Sequence, residues 1–180
     1  LLNKFYNEGS CATIAAAWVT EKGQCQWMTY GDSVVFHYNL QTGLLEHSFT
    51  RLADFSNPPR LVSCKDPLEE EGFRSGVFHL DDTSVVFAAS DALSHYCLMM
   101  YELSKSAEFE SELMEVRMKQ TTNLQLLQMA EKERFDFNED VLMPLLRSAD
   151  SEDSFKDLLE SLYAQKLIDI DDYTLAILYA

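Results

Sequence analysis

Three short stretches each put a carboxylate at the end of an extended segment. Gly31-Asp32-Ser33 sits at a break between two such segments. Ala89-Ser90-Asp91 sits where an apolar run gives way to a helix, and Asp171-Asp172 stands just before a terminal apolar run. If those segments are neighbours in one sheet, their acids converge at one end. Gathered carboxylates repel one another unless something positive lies between them. A divalent cation with oxygen ligands is the natural solution, and the chemistry would then be metal-assisted. Each motif also has a plain structural reading: a turn at Gly31-Asp32-Ser33, a helix N-cap at Asp91, a solvated loop at Asp171-Asp172. For Asp91 the two readings, helix cap and acid displayed at a sheet edge, are compatible. If the sheet is unrelated, all the aspartates are caps and turns.

The elements that must position these acids follow from the apolar pattern. Residues 11–19, CATIAAAWV, form a small-residue run that suits a strand buried on both faces. Glu21-Lys22-Gly23 signals a turn. Residues 24–30 and 34–39 read as further strands, broken by Gly31-Asp32-Ser33, and Asn39 to Gly43 leads by a loop into LLEHSFT. This first part reads as an antiparallel meander. Pro58-Pro59 and Pro67 make residues 54–72 irregular. Residues 74–80 and 84–89 read as two strands joined by a tight hairpin turn at Asp81-Asp82-Thr83.

After Asp91 the pattern becomes helical. Leu93, Cys97, Met100 and Leu103 give one helix, and residues 108–133 give a long charged, amphipathic stretch. Asn138 is placed to cap a helix over VLMPLLRS with Pro144 near a kink or end. Ser151 with Ser154 opens another over SFKDLLESLYAQKL. The chain closes on TLAILY, a strand. Strands, then helices, then one last strand predict an α+β fold, antiparallel sheets with packed helices.

The 180 residues, 47% hydrophobic, suit a single domain over 1–180 with one sizeable core. No apolar stretch is long enough to span a bilayer, so no membrane partner is expected. The first residues lack the order of a signal peptide and read as a helix end running into a strand, which suggests polypeptide missing upstream. Cys11, Cys25, Cys64 and Cys97 are widely spaced, without a C-x-x-C pair, and read as buried free thiols of a reducing cytoplasm. A formal net charge of −16 argues against nucleic-acid binding. His37, His47 and His79 have no metal-ligand spacing.

Taken in order, four motifs resemble the metal-dependent protein phosphatases of the phosphatase 2C type. Gly9-Ser10-Cys11-Ala12-Thr13 is similar to that family's Gly-x-x-Ala-Thr, and QWMTYGDSVVF to its strand with Gly-Asp-Ser. FAASDAL is similar to its apolar strand ending in Ser-Asp, and DDYTLAILYA to its closing Asp-Asn or Asp-Asp strand. The segment DFSNPPRLVSC resembles a bacterial branch. The resemblance runs from about residue 9 to the end. It implies a four-layer αββα sandwich lacking its N-terminal part. It implies a cytoplasmic hydrolase acting on phosphoserine or phosphothreonine of a phosphoprotein substrate. Two Mn²⁺ or Mg²⁺ ions would activate a water for in-line attack. Asp91 and Asp171 take the places of metal ligands, and Asp32 that of a contributor to a weaker third site. Asp172 and His95 lie behind the ligands, with His95 where the family carries a second acid. No catalytic group beyond the metal ligands is implied. The family's upstream Asp-Gly and phosphate-binding arginine have no counterpart here, so the chain holds part of a two-metal site. The alternative is a phosphatase-like module that works by protein contacts without catalysis.

Overall fold

The computed structural model describes residues 9–20, 23–119 and 121–178. The helix end expected in residues 1–8, and Glu21 and Lys22 of the expected turn, lie outside the described residues. The described chain is α+β, with three antiparallel sheets and five α-helices. Strands β1 (Cys11–Ala12) and β6 (Val62–Ser63) form a two-stranded ladder. Strands β2 (Ile14–Val19), β3 (Gln24–Tyr30) and β7 (Phe73–His79) form a three-stranded sheet in the order β2-β3-β7. Strands β4 (Val34–Asn39), β5 (Leu44–His47), β8 (Ser84–Ala89) and β9 (Leu175–Leu178) form a four-stranded sheet in the order β5-β4-β8-β9. Two 3₁₀ turns, Leu52–Ser56 and Glu70–Gly72, punctuate the irregular stretch between β5 and β7.

Side-chain alternation decides what each face of the four-stranded sheet covers. Val34, Phe36 and Tyr38 of β4, with Phe87 and Ala89 of β8, turn towards the helices and join the main core. Phe36 stacks on Phe87 with ring centroids 4.9 Å apart. Val35 and Val86 turn the other way and meet Cys25 and Phe78 of the three-stranded sheet in a second cluster. The result is three layers: sheet, sheet, helices. The fourth, helical layer of an αββα sandwich is not seen among the described residues.

The helices are α1 (Asp91–Ser104), α2 (Glu110–Met118), α3 (Thr122–Ala130), α4 (Met143–Ser148) and α5 (Glu152–Ala164). Ser151 caps α5 as expected, its Oγ accepting the Ser154 N–H at 3.1 Å. Five expectations need correction, the burial of the cysteines last. The stretch 108–133 is two helices, divided where Lys119 leaves the helix and donates from Nζ to the Ala53 carbonyl at 2.8 Å. Asp136, not Asn138, caps the next helical segment, accepting from the Glu139 N–H at 3.0 Å. A π-turn over Phe137–Leu142 follows, and Pro144 falls in the first turn of α4, where its missing N–H is not needed. Residues 11–19 are a short strand and an edge strand, with Trp18 and Val19 each 43% exposed.

The fourth correction concerns topology. Asp81-Asp82-Thr83 does not close a hairpin: β7 and β8 belong to different sheets, as do β3 and β4. These connections are corners between layers, so the first part is not a single meander. At the first corner the Asp81 carboxylate accepts from the Thr83 N–H at 2.8 Å and from Asn39 Nδ2 at 2.8 Å, tying β4 to the turn. The other corner is Gly31-Asp32-Ser33. All four cysteines are free, but Cys11 and Cys64 are exposed while Cys25 and Cys97 are buried. No helix is long and apolar enough to cross a membrane among the described residues.

Candidate functional site: carboxylates at one end of the four-stranded sheet

Register brings the acids together. Val34, the first residue of β4, faces Ala89, the last of β8, and Ala89 faces Leu175, the first of β9. Asp32 therefore precedes β4, Asp91 follows β8 and Asp171 precedes β9, all at the same end of adjacent strands. Had they been unrelated turns, nothing would have required a shared end.

Ser90 fixes the junction. Its N–H donates to the Thr174 carbonyl at 3.1 Å, and its Oγ accepts from the Thr174 N–H at 3.1 Å and donates to the Asp172 carbonyl at 3.1 Å. Ser90 is also the N-cap residue of α1 by position, with Asp91 the first helical residue. Asp91 is thus not the cap that its sequence context suggests: the serine before it holds that position and spends its side chain on the β9 approach. A carboxylate in the first turn is still favoured by the helix dipole. Asp172 directs its N–H onto Asp171 Oδ1 at 2.8 Å, which orients the Asp171 carboxylate. The Tyr173 hydroxyl donates to the Asp169 carbonyl and closes the loop before β9.

The electrostatics record the crowding. Burial raises the Asp32 pKa to about 6, and the charges of Asp91 and Asp171 add to the rise. Burial also raises that of Asp91; the Ala92 N–H partly offsets this, and the charges of Asp171 and Asp172 push further up. Among the described residues no lysine or arginine forms an ion pair with Asp32, Asp91 or Asp171. Asp91 and Asp171 share a cavity of about 180 Å³ with Phe55, His95 and Asn123.

His95 lies one turn beyond Asp91, on the same helical face. It is 5% exposed, its ring meets the Phe55 ring edge-on at 5.5 Å, and its Nε2 has no partner among the described residues. Burial lowers its pKa to about 4, so the ring is neutral near pH 7. The donor set around the cavity is mainly carboxylate oxygen, which fits a hard cation that keeps several waters. Among the described residues no group of three or more His, Cys, Asp or Glu side chains is disposed to hold a metal ion. Asp91, Asp169 and Asp171 on the wall of one cavity therefore fit part of a cation's shell, not a closed protein cage.

A second cavity of about 280 Å³ opens beside Asp32, with Asn57, Arg60 and Arg74 on its wall. Neither arginine carries a motif; each became visible only when the loop 57–60 and the start of β7 came to lie beside Gly31. Of the remaining histidines, His37 is buried and bonded to Glu46 and Ser84, each at 2.8 Å. No protein-family model, curated protein or solved structure matches the chain.

Proposed function

We propose that the protein is a metal-dependent phosphoprotein phosphatase acting on phosphoserine or phosphothreonine. The observation that carries this reading is the shared end of β4, β8 and β9, where Asp32, Asp91 and Asp171 crowd without a cationic partner among the described residues. Asp91 and Asp171 would hold Mn²⁺ or Mg²⁺, with Asp32 contributing more weakly. A metal bound there supplies a water of lowered pKa and neutralises charge on a phosphoryl group. The chain's own residues do the positioning. Ser90 locks the β8 end to the β9 approach, the Asp172 N–H orients Asp171, and the neutral His95 ring lines the same cavity as Asp91. The geometry suits a phosphomonoester because that substrate brings oxygens of its own to an incomplete shell.

A second reading is a phosphatase-like module that binds a protein partner without catalysis. It is favoured by the lack of a group of three metal-holding side chains among the described residues, and by His95 standing where a second acid would add oxygen ligands. The test is hydrolysis of p-nitrophenyl phosphate by the full-length protein with and without Mn²⁺. The phosphatase reading expects Mn²⁺-dependent turnover that falls at least about 100-fold in Asp91→Asn with the fold intact. Unchanged turnover in that variant would remove the role given to Asp91. Calorimetry that detects no Mn²⁺ binding at millimolar metal would favour the module.

A further inference from the structure

We infer that Arg74, assisted by Arg60, forms an anion-binding wall beside Asp32 that takes the phosphate group of the substrate. This assignment of a phosphate subsite rests on the phosphatase reading for its biological ligand, but on the arginine's own surroundings for its chemistry.

Arg74 stands near the start of β7, paired across the strands with Thr29. Its guanidinium lies over the Phe49 ring, 5.0 Å from the centroid. Its Nη1 is sealed from solvent and has no acceptor among the described residues. A ring face attracts the cation but gives an in-plane N–H no oxygen to bond. A buried donor on a charged group, left unpaired, is costly and points to an absent acceptor. Arg74 also lines the cavity beside Asp32, the route by which an acceptor would reach its guanidinium.

The surroundings hold this arginine in place. Phe49 stacks on Phe55 with centroids 4.1 Å apart, and Phe55 meets His95, which lines the Asp91–Asp171 cavity. Two rings thus connect the guanidinium to the wall of the carboxylate site. On the other side, Gly31 has φ +97°, and a Cβ there would stand 2.6 Å from Thr13 Cγ2 and 2.9 Å from the Arg60 carbonyl oxygen. Only glycine lets the loop 57–60 close against the sheet end and bring Arg60 to the same cavity.

Of the other charges on this wall, Asp54 and Arg60 have ion-pair partners, while Asp32 and Glu71 form no ion pair among the described residues. Asp54 accepts from Thr50 Oγ1 at 2.7 Å and forms an ion pair with Arg51. Arg60 forms an ion pair with Glu69. Glu71 is exposed. Arg74 is therefore the cation on this wall without a carboxylate partner among the described residues. A guanidinium fork matches a phosphate's oxygens through paired hydrogen bonds, and the adjacent carboxylates are where the phosphoryl group is needed.

The experiment is isothermal calorimetry of the full-length protein with inorganic phosphate, and separately with O-phosphoserine, in Mg²⁺. Arg74→Ala is expected to weaken both by about 10-fold or more, the loss typical of a charged hydrogen-bonding group. Arg74→Lys keeps the charge and the stem over Phe49, so it guards against misfolding, and it should bind with intermediate affinity. Arg60→Ala should lose less, and Arg147→Ala, on the exposed face of α4, should match wild type. Wild-type affinity in both Arg74 variants would overturn the subsite. So would wild-type affinity in a folded Arg74→Lys together with an Arg74→Ala that does not fold. Parallel p-nitrophenyl phosphate kinetics separate the two readings. Arg74-dependent phosphate binding without metal-dependent turnover sinks the phosphatase and keeps the anion site. Turnover with unchanged KM and phosphate affinity in Arg74→Lys keeps the phosphatase and sinks the subsite.

Discussion

The two larger sheets are built from similar strands and live in different environments. The four-stranded sheet has helices on one face and a sheet on the other, and β4 is buried along its whole length. The three-stranded sheet packs one face on its neighbour and leaves the other half open, with Trp18 43%, Val77 45% and Phe73 39% exposed. The carboxylates are set by the first sheet and the arginine by the second. The acids must hold their places against mutual repulsion, which needs a closely packed support. The arginine needs only a ring to lie on and an open cavity in front of it. The candidate site thus lies at the seam between a sheet covered on both faces and a less covered one.

Substitutions should separate these two environments. Phe87→Ala removes a buried ring between β8 and the helices and should cost about 3–5 kcal/mol in urea unfolding. A cost near that of a surface change would deny the four-stranded sheet its supporting role. Next in size is Glu102, 2% exposed within α1, whose pKa is raised to about 8 by burial and by the charge of Glu112. Folded and unfolded chains are both protonated there at low pH. As pH rises from about 4.5 to 8, the unfolded chain gives up its proton first, so stability falls through that window. Glu102→Gln should flatten this loss and gain on the order of 2–3 kcal/mol at pH 8, read from melts across pH.

Asp32 should show the same sign with a smaller amplitude, because solvent screens a partly exposed acid. Its pKa of about 6 means that stability is lost as pH rises from about 4 to 6. Asp32→Asn should gain about 1 kcal/mol at pH 7 and nothing at pH 3. A destabilised Asp32→Asn at pH 7 would mean that the carboxylate is held by a partner and does not suffer from its neighbours. Smallest of all, Trp18→Ser on the open face should shift stability by about 0.5 kcal/mol. A loss as large as that of Phe87→Ala would show that this face is covered in solution, and the contrast between the two sheets would collapse.

Much of the local structure was readable along the chain. The apolar runs in VVFHYN and SVVFAA marked β4 and β8, and Ser151 announced α5. The small-residue run 11–19 misled, because a lack of large polar residues reads as two-sided burial when Ala15 to Ala17 simply sit on an edge strand. The corners at Gly31-Asp32-Ser33 and Asp81-Asp82-Thr83 misled differently. A turn signal says that the chain bends, but carries no statement of whether the next strand joins the same sheet. Asp91 was legible as a candidate because an ionisable group ended an apolar strand. That Ser90 rather than Asp91 would hold the N-cap position was not, since serine and aspartate are equally good caps; here the serine side chain bonds the β9 approach and makes no cap hydrogen bond. Arg74 had no signal at all.

What the amino-acid sequence determined by itself was local: which residues are extended, which are helical, and that four acids stand at strand ends. Those follow from side-chain period, φ preference and capping chemistry, all short-range. The tertiary structure alone decided that Val34, Ala89 and Leu175 lie in one register, that His95 is buried and neutral, and that Arg74 lines a cavity while one of its buried donors has no acceptor among the described residues. Each depends on residues far apart in the chain arriving at one place, and only the packing of the layers brings them there.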